Sequence, residues 1–367
     1  MLIKLISFSL LILFSSCNTN RVCLNPSGKE VDWYAIFFMP ASASSDGAIH
    51  YGYFDPNVSN LQFYKYDVNT FPPTRITRFV TSGGSNFNYF FWNDDQTVKD
   101  GPSDSASSSK AHAKGSLVYD ELTGAFLLHS LPRFPTRTSA NVVLEELPSN
   151  GGSYGQTFLC ISVNKATAES IAKMLSCINA SINKSVSSDR VNSSPNTWVQ
   201  NLINNKIGES CAMDHVTKIR SRAGVEFTFF GKNYKKKIIP YDTTMRQSYS
   251  DHFYVRTWSR PALAPSIYDT YNLINVLNVK YGSYGYDVNK EHSKWAIAKD
   301  KSVVCFADLN HTESQKDRGG HIVCFNNQKL HDIMKNAIVK TEAKTNMVQS
   351  SNPLYELIRT KNQAWLN

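Results

Sequence analysis

The chain has 367 residues, 41% of them hydrophobic, and a formal net charge of +9. That balance supports a sizeable buried core and excludes a disordered or fibrous protein. The charge permits a polyanionic partner, and 9 histidines can add to it in an acidic compartment.

Along the chain, one lysine at Lys4 precedes an apolar run from Leu5 to Phe14, followed by small residues. Residues 1–20 therefore read as a secretory signal peptide, too short to span a membrane, with cleavage between Ser16 and Asn20. A bacterial lipoprotein box ending at Cys17 is the alternative, which Phe14 fits poorly. No second apolar run approaches membrane length, so no membrane partner is expected once the signal is removed. Beyond the signal stand Cys23, Cys160, Cys177, Cys211, Cys305 and Cys324. None has zinc-ligand spacing, so disulfides rather than a metal are expected in an oxidising compartment, and fifteen pairings stay open. Sequons at Asn57, Asn179, Asn183 and Asn192 read as glycosylation sites of a secreted protein.

The next strand signal is "GSLVYD", and just ahead of it stands His112-x-Lys114. The triplet recurs as His292-x-Lys294 ahead of "WAIA". Extended backbone sets i and i+2 on one face, whereas a helix turns them about 200° apart. Each histidine is thus expected beside its lysine. An ammonium neutralises phosphate oxygens, and an imidazole attacks or moves protons, so the pair suits a phosphodiester. The surroundings repeat as well: Asp120 and Asp300 each follow their lysine by 6 residues. His129 and Asn310 stand 17 and 18 residues beyond the two triplet histidines. The Ser/Asn-rich stretch 177–196 reads as an exposed connection. The resulting division is a first lobe over 21–185, a connection over 186–200 and a second lobe over 201–367. Asp120 and Asp300 read as turn residues, Trp33, Trp92 and Trp295 as core, and "GKNYKKKIIPY" (231–241) as a solvated basic face that could touch DNA.

In chain order, "NPSGKEVDWYAIFFMP", "YGYFD", "FWNDDQ", "HAKG", "GAFLLHSLPRFP", "YGQTFLC", "DHFYVRTWSRP", "EHSKWAIA" and "CFADLNHTESQKDRGGHIVC" complete the pattern. Together these segments resemble the deoxyribonuclease II family of the phospholipase D superfamily, over nearly the whole mature chain. The resemblance implies an α/β fold: a phospholipase D-like pseudo-dimer of two lobes, each a mixed sheet covered by helices, sharing one central cleft. It implies a metal-independent acid endonuclease that cuts DNA to 3′-phosphate and 5′-hydroxyl ends through a phosphohistidine, with no cofactor. His112, Lys114, His292 and Lys294 would be catalytic, with His112 the nucleophile by superfamily analogy. His129 and Asn310 would support the substrate phosphate. The family frame also implies Cys23–Cys160 and Cys305–Cys324, leaving Cys177 with Cys211, in a monomeric secreted or lysosomal protein. Two departures stand out. The family usually has Asn-Arg where this chain has Asn310-His311, which puts Asn310 in a formal sequon, and Thr where this chain has Ala113. Other readings are a phospholipase or other phosphodiesterase on the same fold, or an inactive secreted glycoprotein that binds DNA or a host ligand.

Overall fold

A computed structural model describes residues 20–344 except 82–86, 98–102, 106–108, 138–142, 145, 149–150, 184–186, 209 and 261. The expected signal peptide lies outside the described residues but for Asn20. Seven strands form the first sheet: β1 (Trp33–Met39), β2 (His50–Phe54), β3 (Gln62–Lys65), β4 (Asn88–Trp92), β5 (Gly115–Tyr119), β6 (Gly124–His129) and β7 (Gln156–Val163). Their order is β3-β2-β1-β7-β6-β5-β4. Nine strands form the second: β8 (Asp214–Arg220), β9 (Glu226–Lys232), β10 (Phe253–Arg256), β11 (Leu273–Tyr281), β12 (Tyr284–Asp287), β13 (Trp295–Ala298), β14 (Val303–Ala307), β15 (Gly320–Asn326) and β16 (Ile338–Thr341). There the order is β8-β9-β15-β14-β13-β10-β11-β12, with β16 also on β11. The α/β class holds, with few helices. Only the second sheet is mixed, through its parallel β10–β11 pair. The first sheet is antiparallel at every described pairing.

The central strands, such as β1, β6, β7, β13 and β14, are apolar on both faces because both faces are covered. In β1, Trp33, Ala35, Phe37 and Met39 enter one core while Tyr34, Ile36 and Phe38 enter another, the period of 2 that a strand dictates. The first core lies between the two sheets. Phe37 stacks on Tyr281 at 4.9 Å, Trp33 meets Phe325 edge-on at 4.8 Å, and Phe126 contacts Phe229 at 5.8 Å. Helix α1 (Pro72–Thr81) supplies Ile76 to the outer layer of the first sheet, and Tyr241 and Met245 belong to the outer layer of the second. Helix α2 (Lys165–Cys177) is capped by Asn164, whose side chain accepts from the Thr167 N–H. Its Ala168, Ile171, Ala172 and Leu175, at helical spacing, join the inter-sheet core.

The Ser/Asn-rich stretch is more than a bare exposed connection. It carries helix α3 (Asp189–Asn192) and leads into α4 (Thr197–Ile203); Val191 of the first and Val199, Leu202 and Ile203 of the second enter the same core. The disulfides are Cys23–Cys160, Cys177–Cys211 and Cys305–Cys324, the pairings implied by the resemblance. Trp33, Trp92 and Trp295 are core residues. Asp120 accepts from the Leu122 and Thr123 N–H groups in a turn. The basic stretch is only partly a solvated face: Lys232 is fully buried, donating to the carbonyls of Lys236, Gln315 and Lys316. Asn57 is exposed. Asn179 does not suit glycosylation, because it is buried and its Nδ2, the atom a glycan would take, donates to the Ser109 carbonyl at 2.9 Å. No helix among the described residues is long and apolar enough to cross a membrane.

The Cys177–Cys211 bridge spans 34 residues that include α3 and α4. Replacing both cysteines by serine should cost about 3–4 kcal/mol by the chain-entropy relation. Urea unfolding of the double variant beside the unaltered protein measures it; an unchanged midpoint would show that the bridge adds nothing to stability.

Candidate active site

Both triplets sit immediately before a strand, His112 to Lys114 before β5, with a bend at His112, and His292 to Lys294 before β13. Each histidine is anchored by the other half of the chain. The His112 N–H donates to the Gly319 carbonyl at 2.8 Å, and the His292 N–H to the Gly155 carbonyl at 2.9 Å. Both acceptors are glycines for want of room: a Cβ on Gly319 would lie 2.0 Å from the Ile178 carbonyl oxygen, and one on Gly155 would lie 2.6 Å from the Tyr286 hydroxyl. Each lysine carbonyl accepts from the following strand, Lys114 from the His129 N–H at 3.1 Å and Lys294 from the Ala307 N–H at 2.9 Å. These bonds make Ala307, not Asn310, the counterpart of His129. The 17- and 18-residue spacings match in sequence but not in space, because β13 and β14 are each one residue shorter than β5 and β6 while the turns between them are equal in length.

Around the first triplet, the His112 Nδ1–H donates to the Asp308 carbonyl at 2.8 Å, which fixes the neutral tautomer with its lone pair on Nε2. Nε2 lies 3.9 Å from Asp94 Oδ2. The Lys114 ammonium donates to Asp94 Oδ1, and Arg318 Nη2 donates to Asp94 Oδ2 at 2.9 Å. Burial alone would raise the Asp94 pKa, but Lys114, His112 and Arg318 outweigh it and hold the carboxyl well below the usual range. Burial pushes His112 well below an ordinary histidine; Lys114, Lys294 and Arg318 push the same way, and Asp94 opposes them. Ala113 points into the inter-sheet core, away from its two neighbours.

Around the second triplet, Tyr154 stacks on His292 at 4.2 Å and 19°, and Trp258 lies against it at 4.6 Å. The Lys294 ammonium donates to the His292 carbonyl at 2.6 Å. Burial, then Lys294 and Lys114, push His292 down to about 3. Burial and then Lys114 push Lys294 down to about 7, against the pull of Asp94, Glu291 and Asp308. The two triplets are therefore within electrostatic reach of one another. Glu291, fully buried, accepts from Arg256 Nε and from the Ser293 N–H, which fixes the backbone between His292 and Lys294.

His129 is buried between Phe134 and Phe158, with ring centroids 5.3 and 5.6 Å away, and burial followed by Lys114 pushes it down to about 3. Asn310 is buried, its N–H donating to Gln315 Oε1 at 3.3 Å and its Oδ1 without a hydrogen-bond partner. Burial pushes Asp308 up to about 7, partly offset by the His321 N–H and Lys114. Sequence reading gave no role to Asp94, Tyr154, Trp258, Asp308 or Arg318. All five lie in the quoted family segments, yet nothing in those segments says which carboxylate faces which lysine. Among the described residues no three His, Cys, Asp or Glu side chains gather as a metal-ligating group.

Comparison with known proteins places nearly the whole described chain in one family. The family model described as Deoxyribonuclease II matches residues 22–344. Plancitoxin-1 of Acanthaster planci is 27% identical over 335 residues, covering 87% of this chain and 91% of its own. Deoxyribonuclease-2 of Caenorhabditis elegans is 27% identical over 84% of this chain and 90% of its own. Deoxyribonuclease-2-alpha of Rattus norvegicus is 26% identical over 82% and 88%.

Replacing Asp94 by asparagine leaves buried Lys114 and partly buried Arg318 without their counter-charge, an imbalance that costs about 3–5 kcal/mol. It also removes the one neighbour that draws His112 toward protonation, so the His112 ring should titrate lower still. Urea unfolding and histidine NMR titration read the two effects; an unchanged stability would show that Asp94 does not compensate the cluster.

Proposed function

The chain belongs to the deoxyribonuclease II family and is a deoxyribonuclease II-type endonuclease, and we propose that it cuts DNA in acid, without a metal, through a phosphohistidine. The observation that carries this reading is the cross-anchoring of the triplets, each histidine N–H held by a glycine carbonyl of the other half. In this reading one chain supplies both halves of one site, as a pseudo-dimer of lobes 21–185 and 201–367 that acts as a monomer.

In the proposed reaction His112 Nε2 attacks phosphorus, the P–O5′ bond breaks, and protonated His292 gives its proton to the departing 5′-oxygen. The His112 ring, phosphorylated on Nε2 and protonated on Nδ1, is then cationic. The Asp308 carbonyl and the Asp94 carboxylate stabilise that charge. His292 next takes a proton from water, whose oxygen attacks phosphorus. The P–N bond breaks, and the 3′-phosphate leaves. Lys114 and Lys294 face the phosphoryl oxygens, where charge develops, and serve as the electrostatic clamp that a divalent cation provides elsewhere. Asn310, with its unpartnered Oδ1, and His129, through its N–H on Lys114, support that clamp. The three disulfides suit an oxidising, secretory-pathway location, lysosomal or secreted, with Asn57 the best-exposed glycan site.

His112→Ala and His292→Ala should each lower plasmid nicking by at least about 10³-fold while circular dichroism stays that of the unaltered protein. Full activity in either folded variant would sink the shared site, and hydrolysis of phosphatidylcholine in place of DNA would redirect the reading to a lipid phosphodiesterase.

The pH dependence follows from the charges. Lys294, at about 7, is cationic below that value, and Asp308, at about 7, is neutral below it. As pH rises through this point the site loses a positive charge and gains a negative one, and both changes oppose a phosphodiester. On the acid side the free imidazoles stay neutral, and a bound phosphate raises their basicity enough for one to carry a proton. Cleavage should trace a bell centred at roughly pH 4.5–6, largely gone by pH 8. EDTA should leave it unchanged. A flat profile, or loss of activity on chelation, would refute this metal-free scheme.

A further inference from the structure

His311 is fully buried and both of its ring nitrogens face acceptors. Nδ1 lies 2.7 Å from Asn275 Oδ1, and Nε2 lies 2.9 Å from Asp242 Oδ1. The Asn275 orientation is settled by its own amide, whose Nδ2 donates to the Ala264 carbonyl and to Glu342 Oε2, both at 2.8 Å. Its oxygen must therefore accept from His311. A neutral imidazole has one N–H and can satisfy only one of the two acceptors, whereas the cation satisfies both.

The backbone of His311 is pinned as well. Its N–H donates to Thr257 Oγ1 at 2.9 Å, and its carbonyl accepts from the Ala264 N–H at 2.8 Å. This anchor stands between the supports of the two catalytic histidines. Three residues before it, the Asp308 carbonyl receives His112 Nδ1–H. Through Thr257 it reaches Trp258, the ring against His292. Asn310 is its immediate neighbour. The charged and titratable groups facing it are Asp242 from the turn Tyr241–Met245, Glu342 beyond β16 acting through Asn275, and the Tyr241 ring at 6.2 Å.

We propose that His311 is a positioning residue which, as the doubly protonated imidazolium, latches the segment 308–312 so that Asp308, Asn310 and Trp258 hold the catalytic histidines in register. This rests on the nuclease reading above. An arginine at this position would keep its charge at all working pH values. Histidine makes the latch conditional. The cation holds the segment by two side-chain bonds, and a neutral ring by only one. This chain thereby acquires a second source of acid preference, apart from its catalytic groups.

Ring-nitrogen NMR of the unaltered protein at pH 5 should show two protonated nitrogens at His311, a measurement that needs neither a variant nor any activity. His311→Gln, which cannot be a cation, should keep its fold and lose about 10-fold or more in kcat at pH 5 with KM little changed, as a slipped catalytic geometry does. His311→Arg should stay within about 3-fold of the unaltered protein at pH 5 and decline less steeply from pH 5.5 to 7.5, since a permanent cation keeps both bonds. A single ring N–H at pH 5 would overturn the proposal, as would a His311→Gln profile that superimposes on the unaltered one. An unaltered, folded protein that cut no DNA would instead overturn the nuclease reading, with the ring spectrum still reporting the latch.

Discussion

The carboxylate of Asp94 makes the rest of the site possible. Lys114 and Arg318 both donate to it, and His112 stands 3.9 Å away, so three basic groups from distant parts of the chain share one anion. Lys114 is 4% exposed and Asp94 10%. Burying so many cations without a counter-charge would cost several kcal/mol for each. With it, the cluster also becomes a clasp: Arg318 and its neighbour Gly319 are fastened to the segment Lys110–His112, and the backbone of His112 is aligned in consequence.

The second triplet meets the same constraint differently. Its buried carboxylate, Glu291, is committed to Arg256 and to the Ser293 N–H, so it shapes backbone and does not neutralise Lys294. Lys294 is left to burial and to the field of Lys114, which is why its basicity falls to about 7. His292 is flanked by the rings of Tyr154 and Trp258 where His112 has a carboxylate. Two triplets with matching backbone bonds thus have unlike surroundings, and unlike surroundings are what a reaction needs when one imidazole attacks and the other carries the proton.

The inter-sheet core sets the precision of both. Ala113 and Trp295 point into it, so the residues beside them in the extended chain, His112 with Lys114 and Lys294, are turned to the opposite face. Because aromatic residues of both sheets interlock there, the distance between triplets is set by packing and not by a flexible hinge.

The sequence by itself determined a good deal. Two His-x-Lys triplets before apolar runs, an even set of cysteines and a chain of family segments were enough for the α/β class, the nuclease family and the three disulfides. The short apolar runs GSLVYD and WAIA announced strands behind the two triplets. Only the tertiary structure decided that Asp94 holds both Lys114 and an arginine 224 residues away, that Ala307 and not Asn310 matches His129, and that the Ser/Asn-rich stretch is folded into the core through Val191. It alone took Asn179 out of reach of a glycan. The reason is physical: a strand's side-chain alternation is a local property that residue order carries, whereas the partner of a buried charge is chosen by how two sheets pack, and its sequence distance holds no trace of that choice.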